Sequence, residues 1–255
     1  MPSEDVINLW TEAARALARR VLQCETELGG LSAAFLARSA QSLRSTSILA
    51  RHGWIGDAMS VARTIVELSI DFAYIATDPE NLVSRFLAYE PVVKLKLVEA
   101  ISRLHDGDIP AEAVPTLKAR IAEAEQRYPG IKSISWAVHN LRQRAELADT
   151  YFSSLPPASE GAFKQWANGY ELAYVEMCAA SHSGYMTLEY AMWREGDDNI
   201  VNFSPMPADP KPVLIGMTMM LLMMERMMSA NSADDPEGWM ARLENELRRI
   251  HGEQG

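Results

Sequence analysis

The chain has 255 residues, 48% of them hydrophobic, which is ample for a packed core. Its formal net charge of −10 excludes a general polyanion binder, because nonspecific nucleic-acid binding needs a field of Lys and Arg facing the phosphates; only a local basic patch stays open. The two cysteines, Cys24 and Cys178, lie far apart, and the opening Met-Pro-Ser-Glu-Asp lacks the basic, then apolar run of a signal peptide, so a cytoplasmic protein with reduced thiols is expected.

Helix signals dominate, and no run of alternating β-branched residues is bounded by turns; the predicted fold is all-α, one domain of about ten helices over residues 1–255. Ser3 caps a first helix that reaches about Leu28, where Gly29-Gly30 stops it, and Ser32 opens a second that ends near His52-Gly53. Asp57 caps the third. That helix ends near Thr77, because Asp78-Pro79 is a strong start signal for a fourth, running to about His105 and bent or broken at Pro91. A shorter helix over Ala111 to Tyr128 sits between two loops, as a lid or excursion. Ser135 then caps a helix through "WAVHNLRQRAELAD", and a long helical region runs from about Phe163 to Trp193. After an irregular linker come C-terminal helices over residues 213–251: a Met-rich one and an amphipathic one opened by Asp235-Pro236.

The uncharged stretch Val213 to Met224 is short of the ~20 residues needed to cross a bilayer, so no membrane partner is expected. Seven of the chain's 14 methionines fall between Met217 and Met228. The segment reads as a buried helix or as an adaptable contact surface through which a homodimer or another partner docks.

Several chemistries are missing from the sequence. It holds no Gly-rich phosphate loop, dinucleotide fingerprint or Gly-x-Ser-x-Gly elbow, and neither Cys-x-x-Cys nor His-Glu-x-x-His. None of the five histidines has Glu three residues before it, which removes the usual di-iron ligand pair. No cofactor is predicted.

What remains is polar residues on apolar helices. In "MSVARTIVELSIDFAYI", Met59 to Ile75, the residues Ser60, Arg63, Thr64, Glu67, Asp71 and Tyr74 fall within an arc of roughly 100° on a helix turning about 100° per residue. Apolar residues cover nearly all the rest, so this helix is mostly buried with a thin charged seam. Three readings follow: Arg63 and Glu67 pair in an exposed edge; the seam faces a polar cavity where Glu67 is a base or ligand and Arg63 grips an anion; or it meets another subunit. The second candidate is "YELAYVEMCAASHSGYMTLEY", where Cys178, His182, Tyr185 and Glu189 project to one side and Ser181, Ser183 and Gly184 leave a thin backbone. His182 reads either as a hydrogen-bonded core residue or as a base; Cys178 with His182 has no acidic third member for nucleophilic catalysis.

The stretches "AMSVARTIVELSIDFAYIATDPENLVSRFLAY", "SWAVHNLRQRAEL" and "YELAYVEMCAASHSGY" resemble the bacterial domain-of-unknown-function family 5677, over roughly Ile48 to Trp193. Arg63, Glu67, Asp78, Pro79, Trp136, Tyr170, Tyr174, Ser181 and His182 stand where that family's pattern has its Arg, Glu, Asp-Pro, Trp, Tyr, Ser and His. The resemblance implies that Arg63, Glu67 and His182 meet in one site, and it implies no activity. The chain is more loosely similar to HEPN-type helical domains, whose ribonuclease members act in toxin–antitoxin and phage-defence systems. It departs from their Arg-x4-6-His motif at all five histidines, so RNA cleavage would need Arg63 and His182 from different helices.

The functional expectation is therefore a site of Arg63, Glu67 and His182, with Asp71, Tyr170, Ser181 and Tyr185 contributing to binding. Its ligand is small or phosphate-bearing, with a defence-type RNA-directed activity as the most concrete version. A non-enzymatic interaction protein is the alternative, and a metal site at Glu67, Asp71 and His182 the minor one. Both a reaction and binding alone are compatible with these residues.

Overall fold

The computed structural model describes residues 1–104, 110, 112–132, 135–154, 166–181, 192–195, 198–201, 206–235 and 237–252. The fold is all-α. The chain divides into two compact units, Met1–Thr77 with Leu141–Gly255, and Asp78–Asn140.

The first unit begins with α1 (Glu4–Leu22), whose N-cap Ser3 accepts from the Val6 N–H as its position predicts. Helix α2 (Glu27–Arg51) starts earlier than expected. Thr26, not Ser32, is its cap, accepting from Gly29 N–H at 2.9 Å, and the helix runs straight through Gly29-Gly30. The reason at Gly29 is a close approach: a Cβ there would lie 2.3 Å from the Val21 carbonyl oxygen, so only glycine lets the start of α2 fold against the end of α1.

Helix α3 (Ile55–Ile75) likewise starts before Asp57, which sits in its first turn, where a carboxylate favours the helix dipole without capping it. Its seam follows the predicted arc except that Tyr74 is buried, while Val61 and Leu68 beside the arc are partly exposed. Ala62, Ile65, Val66, Ile70, Phe72 and Ile75 are fully buried, whereas Ser60, Arg63, Thr64, Glu67 and Asp71 are partly exposed.

Helix α7 (Leu141–Ser153) begins six residues after the expected cap Ser135. The next helix, α8, covers residues 166–181 as three continuous pieces: Trp166–Gly169, a π-helical turn at Tyr170–Tyr174, and Val175–Ser181. The long helix expected as far as Trp193 does not reach it. Met192–Glu195 (β1) and Asp198–Val201 (β2) pair as a small antiparallel hairpin, Trp193 opposite Ile200, in a segment whose Trp, Ile and Val suit a pleated strand.

Helix α9 (Lys211–Ala230) carries the methionines, and α10 (Trp239–Gly252) closes the chain. By length and apolarity α9 passes for a membrane span, but it lies in the core of this unit. Met217, Met220, Met223, Met224 and Met227 are completely buried. Gly216 lets it approach α2 and α3, since a Cβ there would sit 3.0 Å from Ile65 Cδ1 and 3.4 Å from Leu43 Cδ1. Ser69 Oγ ties α3 to α9 by donating to the Met219 carbonyl at 2.8 Å. Of the methionines between Met217 and Met228, all but Met228 are buried among the chain's own helices, as the buried-helix reading of this segment expects.

The second unit holds α4 (Pro79–Ala88), α5 (Glu90–Leu104) and α6 (Ala113–Arg127). Asp78-Pro79 opens α4 as predicted, although the Asp78 carboxylate accepts from the Asn81 side chain rather than from backbone. The break expected at Pro91 falls just before it. Proline then occupies the first turn of α5, where its missing N–H costs nothing. Arg85 donates to the Trp136 carbonyl at 2.6 Å and Phe86 meets the Trp136 ring edge-on at 4.9 Å, which anchors the irregular segment after α6.

Candidate functional site

The seam of α3 faces partners from two other helices of the first unit, and its two ends are built differently. At the N-terminal end, Glu67 Oε1 accepts from Arg63 Nε at 2.8 Å, the i,i+4 pair the sequence suggests, and also from the Tyr174 hydroxyl at 3.0 Å. The Arg63 guanidinium lies 5.1 Å from the centre of the Tyr174 ring, within cation–π range. One carboxylate therefore organises a guanidinium and a phenol across the α3–α8 contact.

The aromatic wall comes from the π turn. Tyr170 and Tyr174 stack at 4.9 Å with their planes 22° apart. In the five-residue turn of a π helix the extra backbone residue shifts side-chain positions relative to an α-helix, and such turns occur often at functional sites. Burial first, then the Cys178 thiol and the Glu67 carboxylate, push the Tyr174 hydroxyl above the usual tyrosine range, so it stays a proton donor at neutral pH. Burial acts to lower Arg63, but its bond to Glu67 and the neighbouring negative potential outweigh it and hold the guanidinium above its ordinary value.

One turn further, Asp71 pairs with Arg144 of α7, and both side chains are nearly out of solvent, at 17% and 12% exposure. Burial pushes the Asp71 carboxyl up to about 7; Arg144 opposes this and the Glu67 charge adds to it. Asp71 therefore does not stand ready for a ligand: its carboxylate is engaged by α7. A neighbouring contact fixes the start of α8, where Asp149 accepts from the Trp166 and Ala167 N–H groups at 2.6 and 2.7 Å, capping that helix from α7.

Of the expected site residues, Arg63 and Glu67 pair directly, Tyr170 adjoins them through its stack on Tyr174, and Asp71 lies along the same seam in a separate pair. His182 and Tyr185 lie outside the described residues, as does the side chain of Ser181. Among the described residues no group of three or more His, Cys, Asp or Glu is arranged for a metal ion. The set Glu67, Asp71 and His182 has its Asp71 committed to Arg144. Sequence reasoning did not single out Arg144; nothing in the polar "LRQRAEL" marks the one arginine that turns inward. Tyr174 had a signal in its family-pattern position four residues from Tyr170 and from Cys178.

Residues 30–200 match the model of a family described as "Family of unknown function (DUF5677)". The match extends beyond the Ile48 to Trp193 span read from the sequence, taking in most of α2 and the hairpin. No curated protein and no solved structure matches the chain.

Proposed function

The chain belongs to the DUF5677 family, whose function is unknown, and on that footing we propose that the α3–α8 seam is a binding site for a small phosphate-bearing ligand, a nucleotide being the concrete case. The observation that carries this reading is the convergence of Arg63, Glu67 and the Tyr170–Tyr174 stack on one partly exposed patch. Each group has a role that matches a nucleotide. Stacked tyrosine rings accept a base face, and the sequence-tolerant stacking of a base on an aromatic ring is worth about 1–3 kcal/mol. An incoming phosphate competes with Glu67 for the Arg63 guanidinium, while the freed carboxylate accepts from base N–H groups.

The RNA-directed version adds His182 as a general base beside an Arg63-bound phosphate. The acidic chain suits a single nucleotide or a strand end better than a long RNA, because a bound polyanion needs many cationic contacts. Two experiments test the proposal. Titration calorimetry of the full chain with purine and pyrimidine nucleoside monophosphates is expected to detect binding that Arg63→Ala weakens about tenfold or more, the loss of a charge-assisted contact; nucleotides that bind neither protein, or bind both alike, would sink the site. Expression of wild type, Arg63→Ala and His182→Ala, followed by growth and RNA integrity, tests the activity: identical behaviour of all three removes the RNA version and leaves binding.

A further inference from the structure

Between α1, α9 and α10 the first unit encloses a cavity of about 300 Å³, at the small end of the range for ligand clefts. None of its lining residues belongs to α3, α7 or α8, so it is separate from the seam. Leu17 from α1, Met224 and Met228 from α9 and Met240 from α10 give it an apolar interior, and thioether chains adapt their rotamers to an irregular apolar body. Burial grades from Met224, which is completely covered, to Arg19, Arg20 and Asp234, which are exposed. The cavity thus has an apolar floor and a charged mouth.

That mouth carries both signs on different walls. Arg19 and Arg20 come from the last turn of α1, and Asp234 from the turn that joins α9 to α10. The other two acids are committed to local structure. The Asp235 carboxylate accepts from the Trp239 and Met240 N–H groups at 2.9 Å each, and Glu237 accepts from the Trp239 indole N–H at 2.6 Å. Arg20 reaches Gln23 only at 3.4 Å. Arg19 and Asp234, although they line the same opening, form no ion pair with each other or with any other described residue.

We propose that this cavity binds a small zwitterion with an apolar body, the chemistry of a free apolar α-amino acid. The ligand carboxylate lies toward Arg19 and Arg20, its ammonium toward Asp234, and its side chain against Leu17 and the methionines. A purely apolar ligand would leave both mouth charges unused. A ligand with a single charge gains from one wall and is repelled by the other, whereas a zwitterion satisfies both. The volume accommodates one amino-acid-sized molecule.

The test uses the full chain in titration calorimetry or ligand-observed NMR with L-leucine, L-methionine and L-phenylalanine, their methyl esters, which lack the carboxylate, and their N-acetyl forms, which lack the ammonium. At least one free amino acid is expected to bind, with each blocked form about tenfold weaker or worse. Arg19→Glu and Asp234→Lys, both at exposed positions that leave the core intact, are expected to weaken it by a similar factor, and Met228→Trp to abolish it by filling the cavity. Binding of none of the three amino acids overturns the proposal, as does equal binding of free and blocked forms or indifference to both charge reversals.

Discussion

The two ends of the α3 seam begin from the same material, a carboxylate on a buried helix, and reach opposite outcomes. Glu67 remains about one-third exposed and serves two donors, Arg63 and Tyr174. Asp71, one turn on, is shut in with Arg144 from α7. The difference teaches that the seam is part site and part strut: charge buried in a closed pair holds helices in register, while charge left at the edge with more than one partner can exchange one of them for a ligand.

The largest effect should come from breaking the closed pair. Arg144→Met leaves Asp71 buried without its cation and is expected to cost about 3 kcal/mol of stability, in the range found when one partner of a buried ion pair is removed. Urea denaturation measures it, and a cost below ~1 kcal/mol, the exposed-pair range, would erase the distinction between the two ends.

The next test uses pH. Asp71 rises from an ordinary 3.8 to about 7 in the folded chain, so the folded state holds a proton that the unfolded state releases between those values. Its contribution to stability is complete below about pH 4 and is lost as pH rises through 7. Between pH 5 and 8 wild type should therefore lose stability relative to Asp71→Asn, seen as converging or crossing denaturation midpoints; parallel curves would show that burial does not govern this carboxyl.

The smallest effect belongs to the open end. Tyr174→Phe removes one hydrogen bond to Glu67 and is expected to cost about 1 kcal/mol, while lowering nucleotide affinity by less than Arg63→Ala does. If it costs as much as Arg144→Met, the open end is a strut as well, and the binding reading loses its basis.

Much of the fold could be read from local chemistry. The apolar periodicity of α3, the Ser3 cap and the Asp78-Pro79 start each act within one or two turns of chain, so a window of sequence contains the whole cause. Local reasoning failed where the cause was distant. Gly29-Gly30 looks like a stop until the end of α1 is seen pressing on Gly29. The narrow charged stripe also followed from sequence, because a helix turning about 100° per residue assigns every side chain a direction. What stands opposite that stripe did not. Arg144 lies 73 residues from Asp71, and Tyr174 lies 107 from Glu67. Helical periodicity sets the face a residue shares with its neighbours, but only the packing of separate helices decides which distant charge or ring meets that face, and so which carboxylate becomes a strut and which stays open to a ligand.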